Sequence, residues 1–429
     1  MKTHLIWFRN DLRTIDNIVL QRASSNAEKL LAVYCFDPRH FAETSFGFKK
    51  TERYRAQFLI ETVVALQKEL AALNITLIIA HDTPENTLNQ IVQEHHITDI
   101  FYQKEWTSEE KLVENKVKQS VPSKVIYHSY YNQFLFHPKD IPYTSPDTIP
   151  EVFTSFRKKV EVQTTVRKEV SMTKMDATNI LKETFSPPTL AQLGLETPKS
   201  DSRSAFPFKG GTAAALERIQ SYFWKEHHLQ QYKQTRNGLI GLNYSSKLSP
   251  WLANGSISPR TIYWEVQKFE KKAIKNQDTY WLIFELLWRD YFKYISLKHQ
   301  DAIFHQGGIL KKKYDWGTNN KTTLMWIEGK TPYSFVNANM KELALTGWMS
   351  NRGRQNVASY WSKELEQDWR IGAAYFESLL IDYDVHSNWC NWMYGSGVGN
   401  DPRDRKFNIE RQAKMYDANH EYVRLWGEL

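Results

Sequence analysis

The chain has 429 residues, long for one hydrophobic core, so two domains are expected. With 41% hydrophobic and 24% charged residues and two distant cysteines, Cys35 and Cys390, it matches neither a membrane-spanning protein, nor a disulfide-stapled domain, nor a thiol metal site. The net charge of +8 favours an anionic partner, most simply nucleic acid, and 15 Trp, 22 Tyr and 22 Phe suit large helical cores or stacking on flat ligands.

The opening residues meet charge too early for a signal peptide, so a cytoplasmic protein is expected. Short apolar runs at 5–8, 30–36, 75–80, 100–102 and 125–127 read as buried strands. A helix over 55–73 is predicted by the spacing of Leu59, Val63, Leu66, Leu70 and Leu73, and another starts at Thr107, whose spacing to Glu110 fits a capping box. Strand and helix in alternation predict a Rossmann-like, doubly wound parallel sheet over residues 1–130. Gly47 is the only glycine before Gly194, which excludes a dinucleotide fingerprint and a phosphate loop. Residues 131–203 turn to Pro, Ser, Thr and Lys and read as an interdomain linker crossing a surface.

Residues 204–429 form the second, all-α domain. Helical periodicity runs through 212–224, 258–272, 278–298, 333–346, 352–365 and 371–381, with polar loops between. Tyr232 and Arg236 stand at helical spacing before Ser245-Ser246-Lys247-Leu248-Ser249-Pro, where hydroxyls and a lysine lead into a proline-started helix. That pattern suits either a phosphate site or plain N-capping by Ser249. Glu285, Trp288 and Arg289 share one helix surface, and could bind an anionic aromatic ligand or make an ordinary ion pair. Asn351, Arg352, Arg354 and Gln355 open a helix where cations oppose the dipole, so an anion or a carboxylate such as Asp382 should offset them. Trp316, Trp369 and Trp392 share no period.

The stretch 379–402 holds Asp382, Asp384, Asn388, Asn391 and four aromatics, and runs into a loop with glycines at 395, 397 and 399. A polar ring system would suit it; so would a buried amphipathic segment whose Asp and Asn cap neighbouring helices.

Together, Trp7-Phe-Arg-Asn-Asp-Leu-Arg13, Ser245 to Pro250, Glu285-Leu-Leu-Trp-Arg-Asp290, Gly347-Trp-Met-Ser-Asn-Arg352 and Asp382 through Trp392 resemble the photolyase and cryptochrome family over essentially the full chain. The ending Asn391 to Arg403, with Gly47 to Thr51 and Arg55-Ala-Gln-Phe, is most similar to the DASH branch.

The resemblance implies a C-terminal helical domain that binds FAD. Tyr232, Ser245, Ser246, Lys247, Leu248 and Ser249 would lie near the phosphates, with Asn351, Arg354, Asp382, Asp384 and Asn388 around the rings, and Glu285 and Arg289 would also touch the cofactor. It implies an electron-hopping chain of Trp392, Trp369 and Trp316, and a folate antenna, methenyltetrahydrofolate, contacted by Glu109. It further implies a flipped cyclobutane pyrimidine dimer hydrogen-bonded by Glu285 and flanked by Trp288 and Tyr394, with Arg236, Arg352, Gln355 and Arg405 on DNA. Duplex-repairing relatives carry Trp for Tyr394, Met for Gln355 and in some cases an aromatic for Leu282, so single-stranded or looped DNA is the expected partner of a monomeric, light-driven repair enzyme. A flavin photoreceptor and a flavin-dependent nucleic-acid binder without light chemistry are the alternatives. With the last motif close to Leu429, no long signalling tail is expected, an expectation that favours repair.

Overall fold

The computed structural model describes residues 2–401 and 403–427; Pro402, part of the 379–402 stretch, lies outside them, as does Leu429. Strands β1 (Thr3–Trp7), β2 (Lys29–Cys35), β3 (Thr76–Ala80), β4 (Asp99–Gln103) and β5 (Ile126–Tyr130) form one parallel sheet in the order β3-β2-β1-β4-β5. Helices α1 (Ile18–Ser24), α2 (Arg53–Ala72), α3 (Pro84–His95) and α4 (Ser108–Ser120) connect them. Side chains alternate across a strand, so β1 feeds two cores. Ile6 pack with Val19, Val63 and Leu66 on one face, while Leu5 and Trp7 pack with Leu88, Ile91 and Val117 on the other. The central strands are buried as their apolar runs predict, but β5 is an edge strand with Ile126 turned outward.

Two local expectations fail in this domain and its connection. Thr107 stands at the N-cap of α4 but makes no side-chain cap bond, so the capping box does not form. Residues 131–203 are more than a surface connector. Leu135 and Phe136 donate their amides to Asp290 at 3.0 and 2.8 Å, and α5 (Phe153–Gln163) buries Phe153, Phe156 and Val160 against the helical domain. Their helical spacing is diluted in the sequence by the surrounding Pro and Lys.

The second half is helical. It comprises α6 (Thr212–Ile219), continued by a π-helical turn over Gln220–Lys225, α7 (Tyr232–Thr235), α8 (Ser249–Ala253), α9 (Pro259–Lys272), α10 (Gln277–His299), α11 (Asn320–Ile327) and α12 (Ser334–Thr346). Then come α13 (Asn351–Ser359), continued by a π-helical turn over Tyr360–Glu364, α14 (Trp369–Leu379), α15 (Val385–Ser396), α16 (Ile409–Tyr416) and α17 (Glu421–Gly427). Central α10 starts at a capping box made by Asn276 and Thr279. Helix α15 corrects the reading of 379–402 as a segment running into a glycine loop. Asp384 accepts the Ser387 amide at 2.8 Å and starts a helix that carries through Gly395 to its left-handed cap at Gly397.

The N-terminal motif docks the two domains. Buried Arg13 donates to the carbonyls of Gly255 and Asn132, both at 2.9 Å, and Asp16 pairs with buried Arg260 at 2.8 Å. Among the described residues, no helix is long and apolar enough to cross a membrane.

Candidate functional site

One cavity opens inside the helical domain, and its walls gather residues from six segments of the chain. Tyr232, Ser245 to Ser249, Glu285, Arg289, Asn351, Arg354, Asp382 and Asp384 all line it, with Leu252, Ile262, Leu286, Trp348 and Met349 supplying apolar surface. Of the residues expected around a cofactor, Asn388 and Glu109 are not on its wall. Asn388 sits just behind it on α15 and donates its amide to the Ala373 carbonyl at 3.0 Å.

The charged groups of the wall are held in place. Arg354 meets Asp382 at 2.9 Å and donates through Nε to the Met349 carbonyl at 3.0 Å, so the carboxylate expected to offset this helix start does so. The Ser249 hydroxyl donates to the same Asp382 at 2.7 Å, and makes no cap bond at the start of α8. Plain N-capping therefore does not explain Ser249, and five-residue α8 is too short to act through its dipole. Glu285 pairs with Arg236 at 2.6 Å instead of Arg289, whose guanidinium donates to the carbonyls of Gln133 at 2.7 Å and Leu252 at 3.1 Å. Burial raises the Glu285 pKa, with Arg236 opposing.

Lys293 was not anticipated. It lies one and two turns beyond Arg289 and Glu285 on α10 and meets Asp384 at 2.8 Å, with the lysine buried and the Asp384 side chain 11% exposed. Burial lowers the Lys293 pKa. It would raise that of Asp384, but Lys293, His386 and Arg289 outweigh it and hold the carboxyl well below its usual range. A lysine inside the apolar run Tyr291-Phe-Lys-Tyr-Ile295 was the available signal.

One helical turn along α10 from Glu285, Trp288 stacks on Phe153 with centroids 3.7 Å apart and meets the edge of Tyr394 at 5.9 Å. Arg405 donates to the Tyr394 hydroxyl at 3.2 Å and to Asp401 at 3.0 Å. Arg352 donates to the Asn237 side chain at 3.2 Å, and Gln355 is exposed. The three tryptophans do not stack on one another. Trp392 packs its ring on Gly372, one turn along α14 from buried Trp369, whose nearest ring partner is Trp389 at 5.7 Å. Trp316 lies beside Tyr314 at 5.0 Å, and the next residue, Gly317, accepts the Asp368 amide. Glu109 pairs with Lys50 at the edge of a separate cleft between the domains.

The donor set suits a large anionic aromatic ligand. Lys247, at φ +61°, projects into the wall with its ammonium 3.1 Å from the Tyr244 ring centroid and 4.7 Å from that of Trp348, and it has no hydrogen-bond partner. Such a cation is costly to bury unless an anion joins it. Lys247 and the hydroxyls at 245–249 would hold a diphosphate, and the Arg354–Asp382 pair the polar edge of a flavin ring.

Comparison with known proteins agrees with that reading. Residues 4–175 match the DNA photolyase family and residues 281–428 the FAD binding domain of DNA photolyase. Cryptochrome DASH of Danio rerio is 45% identical over 99% of this chain and 83% of its own length, and that of Gloeobacter violaceus 45% identical over 99% and 85%. The crystal structure of the Synechocystis cryptochrome superposes with a TM-score of 0.93 at 43% identity, covering 99% of this chain and 88% of that one. The chain thus belongs to the photolyase and cryptochrome family, in its cryptochrome DASH group, and its helical half carries the family's FAD-binding domain.

Proposed function

We propose that the protein repairs cyclobutane pyrimidine dimers in single-stranded or looped DNA under blue light. The observation that carries this reading is that the Arg236–Glu285 pair of the cavity wall stands within one helical turn of the Trp288–Tyr394 ring pair. FAD held by the cavity residues would supply the redox chemistry, one electron lent to the dimer from the light-excited reduced flavin and returned once the two cyclobutane C–C bonds have opened. The chain's own part is positioning. Glu285, its pKa raised by burial, hydrogen-bonds the pyrimidine edges, while Trp288 and Tyr394 flank the bases. Arg236, Arg352, Gln355 and Arg405 contact the strand, and Trp392, Trp369 and Trp316 carry electrons between cavity and surface. The interdomain cleft lined by Glu109 would hold a folate antenna, methenyltetrahydrofolate. The protein works as a cytoplasmic monomer.

Strand preference follows from the energy of flipping. Extruding a lesion from a duplex costs a few kcal/mol, and stacking on an aromatic ring returns roughly 1–3 kcal/mol per base. The single ring of Tyr394 and the polar side chain of Gln355 return less than a larger apolar wall would. Dimer reversal under blue light, measured on matched single-stranded and duplex oligonucleotides at subsaturating protein, should favour the single strand. Equal yields would remove the preference, and light-dependent flavin chemistry with no reversal would favour a photoreceptor.

A further inference from the structure

The loop from Asn237 to Asn243 joins two residues of the cavity wall, Arg236 and Tyr244, and so forms part of its rim. Its anchors face inward, with Leu239 4% and Tyr244 9% exposed. Between them Ile240 and Leu242 face out, 45% and 39% exposed, on either side of Gly241, which stands at φ +85° with open space around it. Single exposed apolar residues are ordinary on a protein surface. Two on one loop tip acquire meaning when the loop is fixed.

Arg218 of α6 fixes it from beneath. Its buried guanidinium donates to the carbonyls of Leu242 and Ser245 at 3.1 Å, to that of Ser246 at 3.0 Å, and to the Asn243 side chain at 2.9 Å. The rings of Phe208 and Tyr222 lie against this guanidinium at 5.0 and 4.7 Å. At the near end Arg352 donates to Asn237, and Gly238 packs so closely on Tyr244 that a Cβ there would fall 2.6 Å from the tyrosine's. A free loop would fold its apolar tip onto the protein, whereas this one is tied at Asn237, Leu242 and Asn243. Arg352, and Arg236 in its pair with Glu285, stand at the base of the tip, so the net positive charge there is that of Arg352.

We propose that Ile240 and Leu242 form an apolar bearing surface for a nucleobase neighbouring the lesion in single-stranded DNA, with the two arginines on the adjoining phosphates. This rests on the repair reading above. Every base offers a flat apolar face, so the contact is sequence-tolerant, and it releases no counterions. Its signature is therefore distinct from that of a phosphate contact, which changes the salt dependence of binding.

The test is binding of a single-stranded, dimer-containing oligonucleotide by anisotropy over a range of salt, with flavin content matched by absorbance. The double variant Ile240→Ser/Leu242→Ser should bind roughly tenfold more weakly at every salt concentration, with the slope of log affinity against log salt unchanged. Ile240→Trp, which enlarges the tip, should tighten binding about threefold and serves if the serine variant fails to fold. Wild-type affinity in either folded variant, or a changed slope, overturns the bearing surface alone. If the wild-type protein does not bind the strand, the surface and the repair reading fail together.

Discussion

The cavity inside the helical domain and the cleft between the two domains are both lined with charge, but the charge is settled differently in each. In the cavity, Arg354 holds Asp382 and Arg236 holds Glu285 at hydrogen-bond distance. In the cleft, burial raises the pKa values of Glu105 and Glu110, the latter to about 7 with Glu105 adding to the effect. Lys50 stands there between Glu109 and Glu377. The difference follows from construction. One helical domain builds the cavity and pairs its carboxylates Asp382 and Glu285 as it folds, leaving Lys247 without a partner, whereas Glu109 and Glu377 reach Lys50 in the cleft from two different domains.

Ala253, Arg289 and Asp384 line both hollows, so the partition between them is where the comparison can be broken most severely. Lys293→Met leaves the buried Asp384 carboxylate without its nearest cation and should destabilise the protein by about 3–5 kcal/mol. Thermal unfolding of the flavin-loaded protein measures this, and a loss below about 1 kcal/mol would show that the partition does not depend on the pair.

Behind the cavity wall, Glu342 is an exception to the pairing rule. Burial raises its pKa to about 7, with the hydrogen bond from Tyr422 and the charges of Lys247 and Arg354 opposing. A raised folded pKa means that its contribution to stability is complete below about pH 4.5 and is lost as pH rises through about 7. Glu342→Gln should flatten the stability profile across that window, by on the order of 3 kcal/mol at most. An unaltered profile would assign the titration elsewhere.

The hollows should also differ toward DNA. Arg405→Ala, which removes the partner of the Tyr394 hydroxyl, should lower the salt slope of single-strand binding by roughly 0.7, the increment of one phosphate contact, while Lys50→Ala in the cleft should leave it unchanged. Equal slopes in all three proteins would detach the arginine from the strand.

The smallest effect belongs to the cleft's edge. Glu109 is 67% exposed at its side chain, so Glu109→Gln should change stability by less than about 0.5 kcal/mol. It should still weaken binding of added methenyltetrahydrofolate severalfold, read by fluorescence. Unchanged folate affinity would take Glu109 out of that site.

Much of the cavity was legible in advance because it is written in helical spacing and motif order. Glu285, Trp288 and Arg289 fall on one face of α10 by periodicity alone, and the cations opening α13 called for a carboxylate that Asp382 provides. The alternating runs of the first 130 residues likewise determined a parallel sheet with two covered faces, since a strand buried on both sides can hardly tolerate polar residues. Partners were another matter. Sequence offered Arg289 to Glu285, yet Arg236 holds it, while Arg289 satisfies carbonyls of the connector and α8. Lys293 reads as an interruption in an apolar run until α15 brings Asp384 against it, 91 residues away. Arg218 and the 131–203 segment gain their roles in the same way. Spacing along a chain dictates which side chains share a face, because the backbone period is local. Which faces meet depends on how long-range packing buries them, and only the folded chain decides that.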